Sequence, residues 1–160
     1  MPEQQQKITI EQALDLATKH QNAGKLNEAE NVYQQILNAD PNQPIALHML
    51  GVIAHQLGKN EVAVELITKA LNIKPGYSEA YNNLGLIYAA GGDLEKATKY
   101  FQLGLQTNPT YATLYQNLST LYAARAISAY RKALLGTEAD ESSDDSRTLD
   151  LLPLDMLGKR

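Results

Sequence analysis

Residues Ser78–Tyr111 read SEAYNNLGLIYAAGGDLEKATKYFQLGLQTNPTY, and their pattern decides the fold. Tyr81, Leu84, Gly85 and Tyr88 recur at spacings of three and four, which puts them on one stripe of a helix. Gly91-Gly92 interrupts the pattern. Ala97, Phe101 and Gly104 then form a second stripe, closed by Asn108-Pro109. Two amphipathic helices joined by a glycine turn and ended by proline describe a helical hairpin.

The hairpin recurs with a period of 34 residues. Leu84-Gly85 has its counterpart in Leu50-Gly51, Ala97 in Ala63, and Pro109 in Pro75 and then Pro41. A further step back takes Leu84 to Leu16, Tyr81 to Ala13 and Phe101 to Tyr33, while Tyr81, Leu84 and Tyr88 step forward to Tyr115, Leu118 and Tyr122. The reading is an N-terminal segment 1–8, an array 9–135 with units of about 10–43, 44–77, 78–111 and a shortened 112–135, and a tail 136–160. Through its Leu-Gly pair, small-residue packing and closing proline, the unit resembles the tetratricopeptide repeat family. That resemblance implies an all-α, right-handed superhelical array of hairpins that serves as a binding scaffold. In such an array each unit buries its stripe against its neighbours, without one central core.

Composition narrows the function. Without cysteine the chain has neither disulfides nor thiolate metal sites, which suits a reducing, cytoplasmic setting. No apolar run approaches the ~20 residues of a membrane span, and MPEQQQKITI lacks the apolar core of a secretory signal. The net charge of −4 lies in the tail: residues 137–160 hold seven of the 18 acids and three of the 14 bases, leaving eleven of each in the body. A neutral body argues against nucleic acid as a partner. The expected partner is a protein or peptide, with no membrane and no cofactor.

Several boundaries follow from local chemistry. Thr9 and Gln12 have capping-box spacing, as do Asn27 and Glu30, so helices are expected to open there. Pro44 suits a first helical turn, and Gly51 lets a neighbouring helix approach closely. The fourth unit departs from the period: aligned on the third, it lacks the five residues corresponding to Gly92–Lys96. What remains, ATLYQNLSTLYAARAISAYRKALL, has neither glycine nor proline. A turn at Ala124-Arg125 would need backbone angles these residues disfavour, so one continuous helix from about Ala112 to Leu135 is expected; a tight hairpin is the alternative. Tyr115, Leu118, Tyr122, Ala126, Ala129, Tyr130 and Ala133 fall on one stripe of that helix, with no second half-hairpin to cover it. This stripe is the expected interface of a domain-swapped homodimer. GTEADESSDDSR then reads as disordered. The leucine-rich end, Leu149–Leu157, is a candidate docking peptide for the groove of its own or another chain.

Catalysis is not expected. His48 and His55 lie seven apart, ~10 Å along a helix, too far to share a metal. No glycine-rich phosphate loop follows a strand pattern. The resemblance implies a peptide groove lined by the first helix of each unit, here by His48, Met49, Val52, His55, Asn82, Asn83, Leu86, Gln116, Asn117 and Thr120. Asn83 and Asn117 stand where related arrays, including those of O-linked N-acetylglucosamine transferases, use asparagine to bond a peptide backbone; an amide can both donate and accept. Chaperone-binding arrays hold a terminal carboxylate with cations and asparagines. The equivalents here are Leu14, Thr18, Met49, Glu79 and Asn83, or one unit on His48, Val52, Asn83, Thr113 and Asn117, and nothing cationic is present to balance a carboxylate. The wording ALHMLGVIAHQLG is also similar to arrays that precede catalytic domains of bacterial glycosyltransferases and methyltransferases. The alternative role is therefore the recruiting arm of such an enzyme.

Overall fold

The computed structural model describes residues 7–135. The first six residues, and the acidic tail with its leucine-rich end, lie outside the described residues. Seven helices follow in order: α1 (Ile10–Asn22), α2 (Leu26–Ala39), α3 (Pro44–Gln56), α4 (Asn60–Ile73), α5 (Ser78–Ala90), α6 (Leu94–Thr107) and α7 (Ala112–Leu135), with no strand among the described residues. Helices α1 with α2, α3 with α4 and α5 with α6 pair as hairpins, and α2, α4 and α6 each pack on the helix that follows. The result is an all-α solenoid of helical hairpins.

Each hairpin turns on one left-handed glycine: Gly24, Gly58 and Gly92, with φ of 74°, 77° and 82°. A side chain at these positions would force Cβ against the backbone, so glycine is the residue that permits the turn. Gly91 keeps a φ of −81°, so the second glycine of the Gly91-Gly92 pair makes the break. Where the fourth unit lacks this glycine, the chain does not turn. Helix α7 runs through its 24 residues, about 36 Å at 1.5 Å per residue.

The capping box at Thr9 is complete: Gln12 N–H donates to Thr9 Oγ1 at 3.2 Å, and Thr9 N–H donates to Gln12 Oε1 at 2.9 Å. The second expected box does not form. Helix α2 opens at Leu26, with Lys25 as its N-cap and no side-chain cap, because the chain re-enters helical geometry directly after Gly24. Pro44 occupies the first turn of α3 as expected.

Three core clusters explain the stripes. Within a hairpin, the small residue of the first helix faces the large residue of the second: a Cβ added at Gly51 would lie 2.6 Å from Ile67 Cγ1, and one at Gly85 would overlap the Phe101 ring. A second face of each first helix packs on the preceding hairpin. Ala46, Leu50 and Ile53 join Ala13, Ala17, Ala29, Tyr33 and Ile36. Ala80, Leu84 and Ile87 join Ala63, Ile67 and Leu71. Leu114 and Leu121 join Ala97 and Phe101. Each large apolar side chain buried this way stabilises by about 1.5–3 kcal/mol.

The same geometry corrects two expectations. Leu16 occupies the face that looks toward a preceding hairpin, and since none precedes α1 it stays 40% exposed. Leu118 occupies that face in α7 and is half-buried against the third cluster, so it is not part of a bare stripe. Tyr115 and Tyr122, on the adjacent face, are 53% and 45% exposed.

Candidate functional site

The first helices of successive units touch directly, α3 with α5 and α5 with α7, and present one continuous face. Two hydrogen bonds cross it from unit to unit. Asn83 Nδ2 donates to His48 Nε2 at 2.8 Å, and Asn117 Nδ2 donates to Asn82 Oδ1 at 2.6 Å. Both bonds link partners 35 residues apart, one period plus one. At the junction of the first two units the same positions hold Leu14 and Met49, half-buried against the first cluster. A polar clasp thus repeats along the inner helices where the sequence is polar, and packing replaces it where the sequence is apolar.

His48 is 3% exposed, deep in this clasp. With Nε2 accepting from Asn83, the ring proton sits on Nδ1, which donates to the Tyr77 hydroxyl at 2.8 Å. The two rings meet edge to face with centroids 4.7 Å apart. Burial lowers the His48 pKa to about 4, and the Glu79 carboxylate opposes this only in part. The imidazole is therefore neutral near pH 7. Burial first, then Glu79 and Tyr33, raises the Tyr77 pKa to about 12, so the phenol keeps its proton. The group is a structural relay: it holds the Asn83 amide in place from behind.

The expected groove residues separate by depth. His48 and Asn82 are buried, with side-chain hydrogen bonds to Asn83 and Asn117, and so form the floor. Met49, Val52, His55, Asn83, Asn117 and Thr120 are half-buried, while Leu86 and Gln116 are exposed on the face. His55 Nδ1 pairs with Asn60 Oδ1 at 2.7 Å, across the hairpin turn. Sequence reasoning missed Tyr77. Its signal is the tyrosine that recurs one period later at Tyr111, which packs on the third cluster. Of the stripe on α7, Tyr115, Tyr122, Ala126, Ala129, Tyr130 and Ala133 are exposed. Tyr122 accepts a hydrogen bond from Gln102 Nε2 at 3.1 Å.

Among the described residues no three His, Asp or Glu side chains gather as metal ligands, and no helix is long and apolar enough to cross a membrane. Chemically the face offers amide donors and acceptors beside apolar patches at Met49, Val52 and Leu86, a surface suited to main chain and short side chains.

Family models described as tetratricopeptide repeat match residues 14–78 and 78–111. No curated protein matches the chain. Among solved structures, an O-GlcNAc transferase mutant of Thermobaculum terrenum is 26% identical with a TM-score of 0.67, over 70% of this chain and 22% of that one. The chain thus spans about a fifth of that enzyme's length. The first such domain of Spaghetti (RPAP3), bound to an HSP90 peptide, is 25% identical with a TM-score of 0.67, over 73% of this chain and 93% of that one. The first such domain of human RPAP3 shares the fold at 24% identity and a TM-score of 0.68, over 76% of this chain and 95% of that one.

Proposed function

The chain belongs to the tetratricopeptide repeat family, and from that premise we propose that it is a non-enzymatic scaffold binding an extended peptide segment along the face of α1, α3, α5 and α7. The observation that carries this reading is the polar clasp: two amides, Asn83 and Asn117, are held by His48 and Asn82 with their remaining hydrogen-bond capacity free for a ligand. Similarity to a domain whose structure holds an HSP90 peptide supports a peptide ligand. The ligand here is not an acidic chaperone tail, because the positions that would supply cations hold Leu14, Glu79 and Asn83, or one unit on the neutral His48, Thr113 and Asn117. The scaffold works in the cytoplasm as a homodimer joined through α7; light scattering after size exclusion should read twice the chain mass at micromolar concentration, and a single-chain mass removes the dimer.

Selection of binders from a displayed peptide library tests the groove. Two amide hydrogen bonds at about 0.5–1.5 kcal/mol each predict that Asn83→Ala, Asn117→Ala weakens selected peptides by roughly five- to 150-fold. Because that variant also strips partners from His48 and Asn82, Leu86→Lys serves beside it, an exposed change on the same face with no hydrogen bond to lose. Unchanged affinity in both folded variants removes the groove assignment.

A second reading is favoured by the similarity over 70% of this chain to part of an O-GlcNAc transferase. On this reading the array recruits substrates to a glycosyltransferase or methyltransferase domain. The coding sequence beyond Arg160 tests it, since continuation into a catalytic domain supports the idea and an immediate stop codon removes it.

A further inference from the structure

The two ends of the solenoid are built differently. On the face of α1 that looks away from the array, Leu16 is the one large apolar side chain, 40% exposed between the exposed Gln12 and Lys19. At the other end Tyr115 and Tyr122 are bare, and further along α7 so are Ile127 at 42%, Tyr130 at 66% and Leu134 at 65%. The sequence that follows, GTEADESSDDSR, has no large apolar residue to cover them.

The first hairpin shows what would cover them. In it Ala29 and Tyr33 of α2 close over Ala17 of α1, all three fully buried, and the Tyr33 hydroxyl reaches Thr18 Oγ1 at 3.4 Å. Burial raises the Tyr33 pKa, with the Thr18 bond opposing it. Helix α7 carries both halves of the same arrangement. Ser119 and Thr120 stand where Ala17 and Thr18 stand in the first unit, while Ala126 and Tyr130 match Ala29 and Tyr33. Within one straight helix they cannot meet: ten residues separate Thr120 from Tyr130, ~15 Å of rise.

Building on the self-association read above, we infer that the distal half of α7 from a second copy of this chain closes over the proximal half of the first in the register of the first hairpin, and the reverse, with Tyr130 of each copy seated on Ser119 and bonded to Thr120 of the other. The interface is two-fold and continues the packing face of the three hairpins across the dimer axis. Its size suffices: three tyrosines of about 150–250 Å² each expose roughly 300 Å² per copy, and with Ile127 and Leu134 a reciprocal pair covers on the order of 1,000 Å², the lower range of specific interfaces.

Because the chain has no cysteine, introduced thiols report the register cleanly. In the full chain, Ser119→Cys and Ala126→Cys lie seven residues apart, ~10 Å on one helix, too far for an internal disulfide. The template brings these positions together across the pair: the Cβ added at Gly51 would stand 3.1 Å from the Ala63 carbonyl oxygen at the matching site. Mild oxidation should therefore convert most of the double variant into a covalent dimer. Inserting Gly-Asp-Leu-Glu-Lys between Arg125 and Ala126 of the cysteine-free chain should restore the hairpin and give a monomer by light scattering. A dimer that fails to cross-link overturns this register while leaving self-association standing. A monomer before insertion overturns both, as does a monomeric face shielded by the chain's own Leu149–Leu157. A dimer that survives insertion overturns the exchange. None of these outcomes touches the peptide groove, which its own variants test.

Discussion

Phe101→Ala lowers the stability of the C-terminal half of the array by about 3–5 kcal/mol, the range for truncating a buried phenylalanine. Phe101 is 1% exposed and joins three helices. Its ring fills the space left by Gly85 on α5, and it packs with Ala97 of its own helix and Leu114 and Leu121 of α7. Removing it opens a cavity at the junction that anchors α7, since α7 has no hairpin partner among the described residues. In a linear array the damage stays near the lesion, because each unit contacts only its neighbours. The expected result is a melting curve in which α5 to α7 unfold well below α1 to α4, read by circular dichroism and by hydrogen exchange resolved along the chain. Phe101→Leu keeps most of the volume and should recover more than half of the loss. A variant whose exchange is uniform along the chain, with stability within 1 kcal/mol of the parent, would show that the junction does not depend on this ring.

Acidification from pH 7 to pH 4 weakens the fold by about 3 kcal/mol through His48 alone. The folded imidazole titrates at about 4, and in the unfolded chain it titrates near 6.5. Between these values the unfolded state binds the proton and the folded state does not, so stability falls as pH falls through this window, by ~1.4 kcal/mol per pH unit. Above pH 6.5 both states are neutral and the contribution is flat. Burial disfavours the cation, and its second ring proton would point at the Asn83 amide nitrogen, which is itself a donor. Facing groups do not rescue it: Tyr77 is held neutral and Glu79 raises the pKa only partly. Denaturant titrations at pH 7.0, 6.0 and 5.0, above the ordinary carboxylate range, should show the slope, and His48→Gln should flatten it. An identical slope in His48→Gln would assign the acid sensitivity to other groups.

The repeat period, the helix boundaries within a residue or two and the continuous last helix were legible in the sequence for one physical reason. Each is a local property: helical spacing of apolar residues, glycine where φ must be positive, and its absence at Ala124-Arg125. The start of α2 shows the limit of local signals, because Asn27 and Glu30 had the right spacing but Gly24 had already redirected the chain.

Which face of a first helix meets which neighbour was decided only in three dimensions. Leu16, Leu50, Leu84 and Leu118 are the same residue at one period, yet Leu84 is fully buried and Leu16 is 40% exposed, because Leu84 has a hairpin in front of it and Leu16 has none. The polar floor was likewise hidden. His48 and Asn82 read as groove residues by position, and a one-dimensional pattern cannot tell an amide facing solvent from one bonded to the next unit. Packing sets that difference: when α3, α5 and α7 come into contact, hydrogen-bonding groups 35 residues apart close on each other, and what remains open to a ligand is what they leave over.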